Sequence, residues 1–225
     1  MMNQRRLAIT TGISLLIMAI VAGFSVGYAY AELYNPAQLE FLKDSILQNM
    51  GLYQSMLIGI LIILILDLLV SYTLYKFFED DNKRMSFLSG VIRVVYTVIF
   101  GIATYYLTKN LSTNELTNQI ANSNFQQFQI IWNGGLVVFG FHILLVSFLM
   151  KLHMIIPKIL WYLTLIAGVS YVVLHLLKLG SPNSEMVKNL EIILALPMAI
   201  GELGLAIWLL IKGGKETRVK NETSS

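Results

Sequence analysis

The stretch IGILIILILDLLVSYTLY, residues 58–75, decides the fold because it is an apolar run with one acid, Asp67, near its middle. A transmembrane helix needs about 20 predominantly apolar residues, and this run with its apolar flanks meets that length. A charged side chain at the centre of a bilayer costs roughly 2.5–3.5 kcal/mol on insertion scales. We therefore expect the rest of the chain to neutralise, hydrate or use this carboxylate.

The composition supports a protein that lies almost entirely in the membrane. Of its 225 residues, 56% are hydrophobic and only 13% are charged, whereas a soluble domain carries about 25% charged residues. No polar segment is long enough to fold as a separate soluble domain, so residues 1–225 are predicted to form one membrane domain. The chain contains no cysteine, which excludes disulfides and thiolate metal sites.

Apolar runs separated by polar segments predict an all-α, polytopic bundle of six transmembrane helices. The first run is too long for the core of a signal peptide, which spans about 7–15 residues, and is interpreted as an uncleaved anchor. The tail at 213–225 is polar. The six predicted spans are about 7–30, 56–77, 87–107, 130–150, 156–177 and 190–211.

Two polar connections carry local structural signals. Asn35-Pro36 is a typical helix start, and the apolar residues that follow up to Met50 recur at roughly helical spacing, which predicts a short amphipathic helix on the membrane surface. Residues 108–129 form a neutral segment rich in Asn and Gln, which predicts a loop. Within it, the sequence STNE at 112–115 fits a capping box and predicts that a short helix follows.

Two features inside the spans concern helix packing. The Gly23-x-x-x-Gly27 pattern in the first span predicts close packing within the bundle. Pro197 lies inside the sixth span and is expected to kink that helix or to free a backbone carbonyl.

The distribution of basic residues predicts the orientation of the bundle. The N-terminal tail, the second and fourth connections and the C-terminal tail together hold eleven Lys and Arg residues, whereas the opposite side holds four. The positive-inside rule therefore predicts that both termini are cytoplasmic in a bacterial plasma membrane. The remaining basic residue, Arg93, lies within a span.

Four ionisable residues on four spans are predicted to lie at one depth. Each is nine or ten residues from a basic residue at the predicted cytoplasmic end of its helix: Asp67 from Lys76, Arg93 from Arg84, His142 from Lys151, and Glu202 from Lys212. At 1.5 Å per residue, all four lie about 13–15 Å above those helix ends. Asp67, Arg93, His142 and Glu202 are called the polar layer below.

The short connection between the second and third spans predicts that Asp67 faces Arg93, whose planar fork can donate two hydrogen bonds to a carboxylate. Helical spacing adds further polar residues to the inward faces of the spans. These secondary candidates for the layer are Ser71, Tyr96, Tyr171, His175 and Glu191.

Three functions are compatible with this pattern. A His–carboxylate network can bind protons or a small polar ligand. It can also belong to an intramembrane enzyme, or it can be a purely structural network that fixes helix register. Ligand binding or transport predicts an opening from the layer to one membrane face, whereas a structural network predicts a closed layer with every polar group paired.

Other classes of site are not predicted. The three histidines lie at different depths and cannot converge on a zinc ion, which needs about three protein ligands. No nucleophile elbow, HExxH, phosphate-binding or dinucleotide motif is present. We therefore predict no catalytic residues, no metal and no cofactor. The expected partners are the lipid bilayer and a small ligand or proton, and nucleic acid is not expected.

The chain resembles an uncharacterised bacterial membrane-protein family, domain of unknown function 4386, over nearly its whole length. The resemblance rests on four segments: LDLLVSYTLYKFFEDDNKRMSFLSGVIRVVY at 66–96, GFHILLVSFLM at 140–150, IPKILWYLTLIAGVSYVV at 156–173 and GELGLAIWLLIKGGK at 201–215. Its recurrent positions correspond to Asp67, Arg93, His142, Pro157, Tyr171, Glu202 and Trp208, while Ser147 and Trp161 stand where the family pattern has Gly. The resemblance implies six helices and no particular activity.

Overall fold

The computed structural model describes residues 3–112, 116–182 and 184–215. Six helices in these ranges are long and apolar enough to cross a membrane, which confirms the prediction of an all-α membrane bundle. In chain order, the helices are α1 (Gln4–Leu33), the short α2 (Leu42–Gln48), α3 (Met50–Phe78), α4 (Lys83–Thr108), α5 (Asn118–Leu152), α6 (Lys158–Gly180) and α7 (Glu185–Ile211).

The long helices begin and end at residues suited to those positions. Asn3, Asn82 and Thr117 precede α1, α4 and α5, and each side-chain oxygen accepts a hydrogen bond from a backbone N–H of the first turn. After α7, Gly214 adopts a φ of 63°, a left-handed conformation that glycine adopts without steric cost. Residues 216–225 of the predicted polar tail lie outside the described residues.

The six long helices form a closed ring in the order α1, α3, α4, α5, α6, α7 and back to α1. We call the end of the bundle with Asn3 and Lys215 the termini side, and the end with α2 the far side. On the termini side, the Arg5 guanidinium donates hydrogen bonds of 2.5–3.1 Å to the carbonyls of Leu209, Leu210 and Gly213. These bonds join the start of α1 to the end of α7 and close the ring there.

The segment at 108–129, predicted as a loop with a short helix after residue 115, is helical from Asn118 onward, and this helix is longer than predicted because it is continuous with α5. Its residues extend α5, and Phe125 and Phe128 are fully buried in the far half of the bundle. Asn124 donates to Asn110, which donates to the Tyr53 hydroxyl, so these buried polar side chains are satisfied inside the protein. Three residues of the predicted capping box, 113–115, lie outside the described residues.

Helix α2 differs from the predicted surface helix. Asn35 caps a tight turn, with its side chain accepting from the Ala37 N–H, and the α-helix begins only at Leu42, after a 3₁₀ turn. Its apolar residues Leu42 and Ile46 are buried in the same cluster as Phe125. The helix therefore packs on the far side of the bundle and covers it.

The predicted packing role of Gly23 and Gly27 was also wrong. Within the described chain, a Cβ added at Gly23 meets nothing within 4 Å, and one at Gly27 meets only the carbonyl of its own helix. The close approach occurs instead between α5 and α6, where a Cβ on Gly140 would lie 2.9 Å from the Val172 backbone nitrogen. Helix α7 continues through Pro197, whose missing N–H frees one carbonyl a turn earlier.

Candidate intramembrane binding site

The buried ion pair between α3 and α4 is the centre of the site. Arg93 Nη2 donates to Asp67 Oδ1 at 2.6 Å, and both side chains are 1% exposed. The two helices approach closely one turn away, where Ser71 Oγ donates to the Gly90 carbonyl at 2.8 Å. The predicted contact between Asp67 and Arg93 is thus confirmed, and Ser71 holds the two helices together rather than joining the polar layer.

His142 accepts a hydrogen bond from the second terminal nitrogen of Arg93. Arg93 Nη1 lies 3.1 Å from His142 Nε2, and His142 Nδ1 lies 2.9 Å from the Ser89 carbonyl. Because a guanidinium can only donate, Nε2 must accept, and the imidazole proton is on Nδ1 and donated to Ser89. His142 is therefore a neutral imidazole with a fixed tautomer, and Ser89 orients it.

This arrangement leaves Asp67 with an unused acceptor. The expected two-bond fork between Arg93 and Asp67 does not form, since Arg93 divides its terminal nitrogens between Asp67 and His142. Within the described residues, Asp67 Oδ2 and Arg93 Nε are buried and have no hydrogen-bond partner. A buried polar atom without a partner costs about 1–3 kcal/mol, and more when it is charged.

Glu202 has a different partner from the one the polar layer implied. Its Oε1 accepts from the Tyr171 hydroxyl at 2.6 Å, and no direct hydrogen bond joins it to Asp67, Arg93 or His142 in the described part of the chain. A void of about 10 Å³ between Glu202, Arg93 and His142 is close to the smallest that holds one water. The layer therefore consists of two units, Asp67–Arg93–His142 and Glu202–Tyr171.

A central cavity of about 380 Å³ joins these two units. It has contributions from all six long helices, and most of its wall is apolar. The lining residues are Leu15, Met18, Ala19, Ala22, Ile63, Asp67, Tyr96, Trp132, Leu136, Phe139, Tyr171, Ala199, Glu202 and Leu203. This volume lies within the range of about 300–1,000 Å³ typical of small-molecule sites.

The polar groups of the cavity give it an acidic, aromatic character. Asp67 is balanced by Arg93, whereas the side-chain hydrogen-bond partner of Glu202 among the described residues is the neutral Tyr171. The ring of Phe139 lies 4.8 Å from that of Tyr96 and 5.1 Å from that of Tyr171, measured between centroids. With Glu202 ionised, the Asp67, Arg93 and Glu202 side chains together carry one net negative charge.

The remaining sequence candidates lie at different places. Tyr96 and Tyr171 line the cavity. His175 lies one turn from Tyr171 and contacts the Asn133 amide oxygen at 2.8 Å. Glu191 pairs with Lys178 near the far side of α6 and α7. These last two residues join neighbouring helices and do not line the cavity.

The sequence analysis missed Trp132 and Phe139, two aromatic residues of the cavity wall. Trp132 Nε1 is a buried donor that has no acceptor within the described ranges. Trp132, Leu136 and Phe139 follow i, i+4, i+7 spacing along α5, and that periodicity was the signal available for the inward face. Among residues 3–112, 116–182 and 184–215, no group of three or more His, Asp or Glu is placed to hold a metal ion.

Comparisons with known proteins give relatives without a described activity. The family model described as Domain of unknown function (DUF4386) matches residues 10–213. An uncharacterized protein of Archaeoglobus fulgidus is 31% identical over 163 residues, which cover 72% of this chain and 86% of that protein. No solved structure matches.

Proposed function

The chain belongs to the family described as Domain of unknown function (DUF4386). We propose that it binds a small ligand with a cationic, hydrogen-bond-donating head inside the membrane. The observation that carries the proposal is Asp67 Oδ2, a buried carboxylate oxygen that has no hydrogen-bond partner among the described residues and belongs to a residue that lines a cavity of ligand size. A ligand donor at this oxygen removes the cost of leaving it unpaired.

A purely structural role is a weaker explanation of the same residues. A buried polar network stabilises a fold when every member is satisfied, and partly satisfied networks are costly. Asp67 Oδ2, Arg93 Nε and Trp132 Nε1 all lack partners within the described ranges. Protein interiors are close-packed, so a network with a purely structural role would not be expected to leave a cavity of about 380 Å³ beside Asp67.

The charge of the cavity favours a cation over an anion. Glu202 adds a carboxylate that has no cationic side chain as its hydrogen-bond partner in the described chain. The aromatic rings of Tyr96 and Tyr171 line the cavity, and a cation–π contact is worth about 2 kcal/mol or more when desolvated. An ammonium head suits a cavity that is lined by both Asp67 and Glu202.

A proton is the alternative occupant. Glu202 can neutralise itself by taking up a proton in place of a cationic ligand, because its only side-chain hydrogen-bond partner in the described chain is the Tyr171 hydroxyl. The cavity wall presents no Ser, Thr, His or Lys among the described residues, so the geometry gives no support to an intramembrane enzyme.

The experiment is a binding measurement with n-butylamine on purified protein in nanodiscs of neutral lipid. We expect saturable binding with one site per chain, and a loss of affinity of at least tenfold in Asp67→Asn and Glu202→Gln. Glu191→Gln is the matched control, because it removes a carboxylate that pairs with Lys178 outside the cavity. Equal binding by all four proteins, or no binding to the wild type, contradicts the proposal.

We also propose that the protein lies in the plasma membrane with both termini in the cytoplasm. Helix ends and connections on the termini side carry Arg5, Lys76, Lys83 and Lys151, whereas basic residues are few on the far side. The positive-inside rule assigns the more basic side to the cytoplasm.

A further inference from the structure

We infer that the cavity takes its ligand laterally from the bilayer, between α1 and α7, and that the ligand is a single-chain amphiphile with an amine head. The inference rests on the proposed function, since it names the class of ligand and its route to the same cavity. The route is inferred from the packing of α1 against α7, which is tight near the termini side and leaves exposed apolar residues on both helices farther along.

In the described chain, the close approaches between α1 and α7 lie on the termini side. There, a Cβ added to Gly12 would clash with Leu210 and the Ala206 carbonyl, and one added to Gly213 would clash with Ala8. Farther along α1, the π-helical segment Gly23–Tyr30 packs against α3 instead. The two helices therefore diverge toward the far side.

The far half of α7 turns its packing surface toward α6. Met198 and Val187 are buried with Leu174 of α6, while Ile192 and Ile193 are 75% and 66% exposed. On the facing stretch of α1, Ile20 is 74% exposed. Between these surfaces lie the small residues Ala19 and Ala199, which are exposed and also line the cavity. The cavity is thus open sideways at this point.

The opening lies within the hydrocarbon region of a bilayer. Ala19 is fifteen residues from Gln4, and Ala199 is twelve residues from Ile211, which places them about 22 Å and 18 Å from the termini side at 1.5 Å per residue. The hydrocarbon core is about 30 Å thick. A molecule that enters here comes from among lipid chains, and with cytoplasmic termini it comes from the outer half of the bilayer.

Both ends of the bundle are filled by side chains along its axis. On the far side, the fully buried Tyr53, Phe125 and Phe128 close the ring beneath α2. On the termini side, Leu74, Val146 and Leu205 belong to a buried apolar cluster below the ion pair. Within the described residues, these buried clusters cover the cavity toward both membrane faces, and we assign the lateral gap as the entrance.

The two ends of this route fix the chemistry of the ligand. The inner end offers the carboxylates of Asp67 and Glu202 together with aromatic faces, which suit an ammonium head. The partly buried apolar residues Met18, Ala22 and Leu203 of α1 and α7 also line the cavity, and they suit a hydrocarbon tail that continues into the bilayer. A single-chain amine satisfies both ends, whereas a fully polar solute would have to cross hydrocarbon.

The test is binding of tritiated dodecylamine to the protein in neutral-lipid nanodiscs, with binding to empty nanodiscs subtracted. We expect one site per chain, affinity at least tenfold tighter than that of n-butylamine, and no competition by dodecanoate or dodecanol. Ala199→Phe should slow association at least fivefold. Ile193→Phe is the control, because that residue is exposed on the same helix and does not line the cavity.

The outcomes separate this inference from the proposed function. If butylamine binds as tightly as dodecylamine and Ala199→Phe changes no rate, the lateral route is wrong while amine binding stands. If dodecanol or dodecanoate competes as well as dodecylamine, the cationic head is wrong. If no amine binds above empty nanodiscs, both the inference and the proposed function fail.

Discussion

Arg93 Nη1 donates a hydrogen bond to His142 Nε2, and this bond determines how many acceptor oxygens of Asp67 are used by Arg93. The Nη1–Nε2 distance of 3.1 Å uses the nitrogen that would otherwise complete a two-bond fork with the carboxylate. Asp67, which lines the cavity, consequently keeps an Oδ2 that has no hydrogen-bond partner within the described ranges. His142 does not line the cavity, yet its contact with Arg93 decides whether Asp67 Oδ2 is available to the proposed ligand.

This relationship predicts a selective effect of His142→Leu. Without His142 Nε2 as an acceptor, both terminal nitrogens of Arg93 can donate hydrogen bonds to Asp67, so the affinity for an amine should fall at least fivefold. The free energy of unfolding should fall by about 1–3 kcal/mol. His175→Leu is the matched control, because it removes another buried histidine that contacts Asn133 and not Arg93. Binding isotherms and thermal unfolding check the two effects, and equal affinities for the two variants would refute the role of His142.

Asp67→Asn should destabilise the protein strongly. Removing the charge leaves Arg93 buried without a counter-ion, and breaking a buried pair in this way costs about 3–5 kcal/mol. The double variant Asp67→Asn/Arg93→Gln removes both charges and should recover most of that loss. Thermal unfolding in detergent measures both changes. Unchanged melting of Asp67→Asn would mean that the ion pair does not contribute to stability.

Two glycine substitutions should have opposite effects on stability, because α5 and α6 approach closely at Gly140 whereas α4 has open space at Gly101. Gly140→Ala places a methyl 2.7 Å from Val172 Cγ2 and 2.9 Å from its backbone nitrogen, so it should destabilise the bundle by about 1–3 kcal/mol. A Cβ at Gly101 meets nothing within 4 Å in the described chain. Gly101→Ala should therefore stabilise α4 by about 0.5–1 kcal/mol, and the two melting shifts should have opposite signs.

The proposed orientation can be tested with single cysteines, since the chain has none of its own. Met154, on the termini side, is 98% exposed, and Met186, near the far side, is 63% exposed. On intact cells, a membrane-impermeant maleimide should label Met186→Cys and leave Met154→Cys unlabelled, and lysis should make both reactive. The reverse pattern would place both termini outside the cytoplasm.

The sequence by itself determined the class of fold and one contact of the site. Six apolar runs establish six helices because a bilayer forces every backbone polar group to be bonded within its own segment. The short connection after α3 makes α3 and α4 adjacent and antiparallel, which was enough to pair Asp67 with Arg93. Length along a helix also gave depth, since the rise per residue is constant.

Only the tertiary structure decided which neighbours the other polar residues meet. The rotation of each helix about its axis and the spacing between helices depend on packing partners far away in the chain, and local periodicity does not contain them. Thus Glu202 bonds to Tyr171 and not to the ion pair, and the polar segment at 118–129 becomes a buried part of α5. The contact of residues 23–30 of α1 with α3 arises in the same way, and the proposed lateral entrance depends on it.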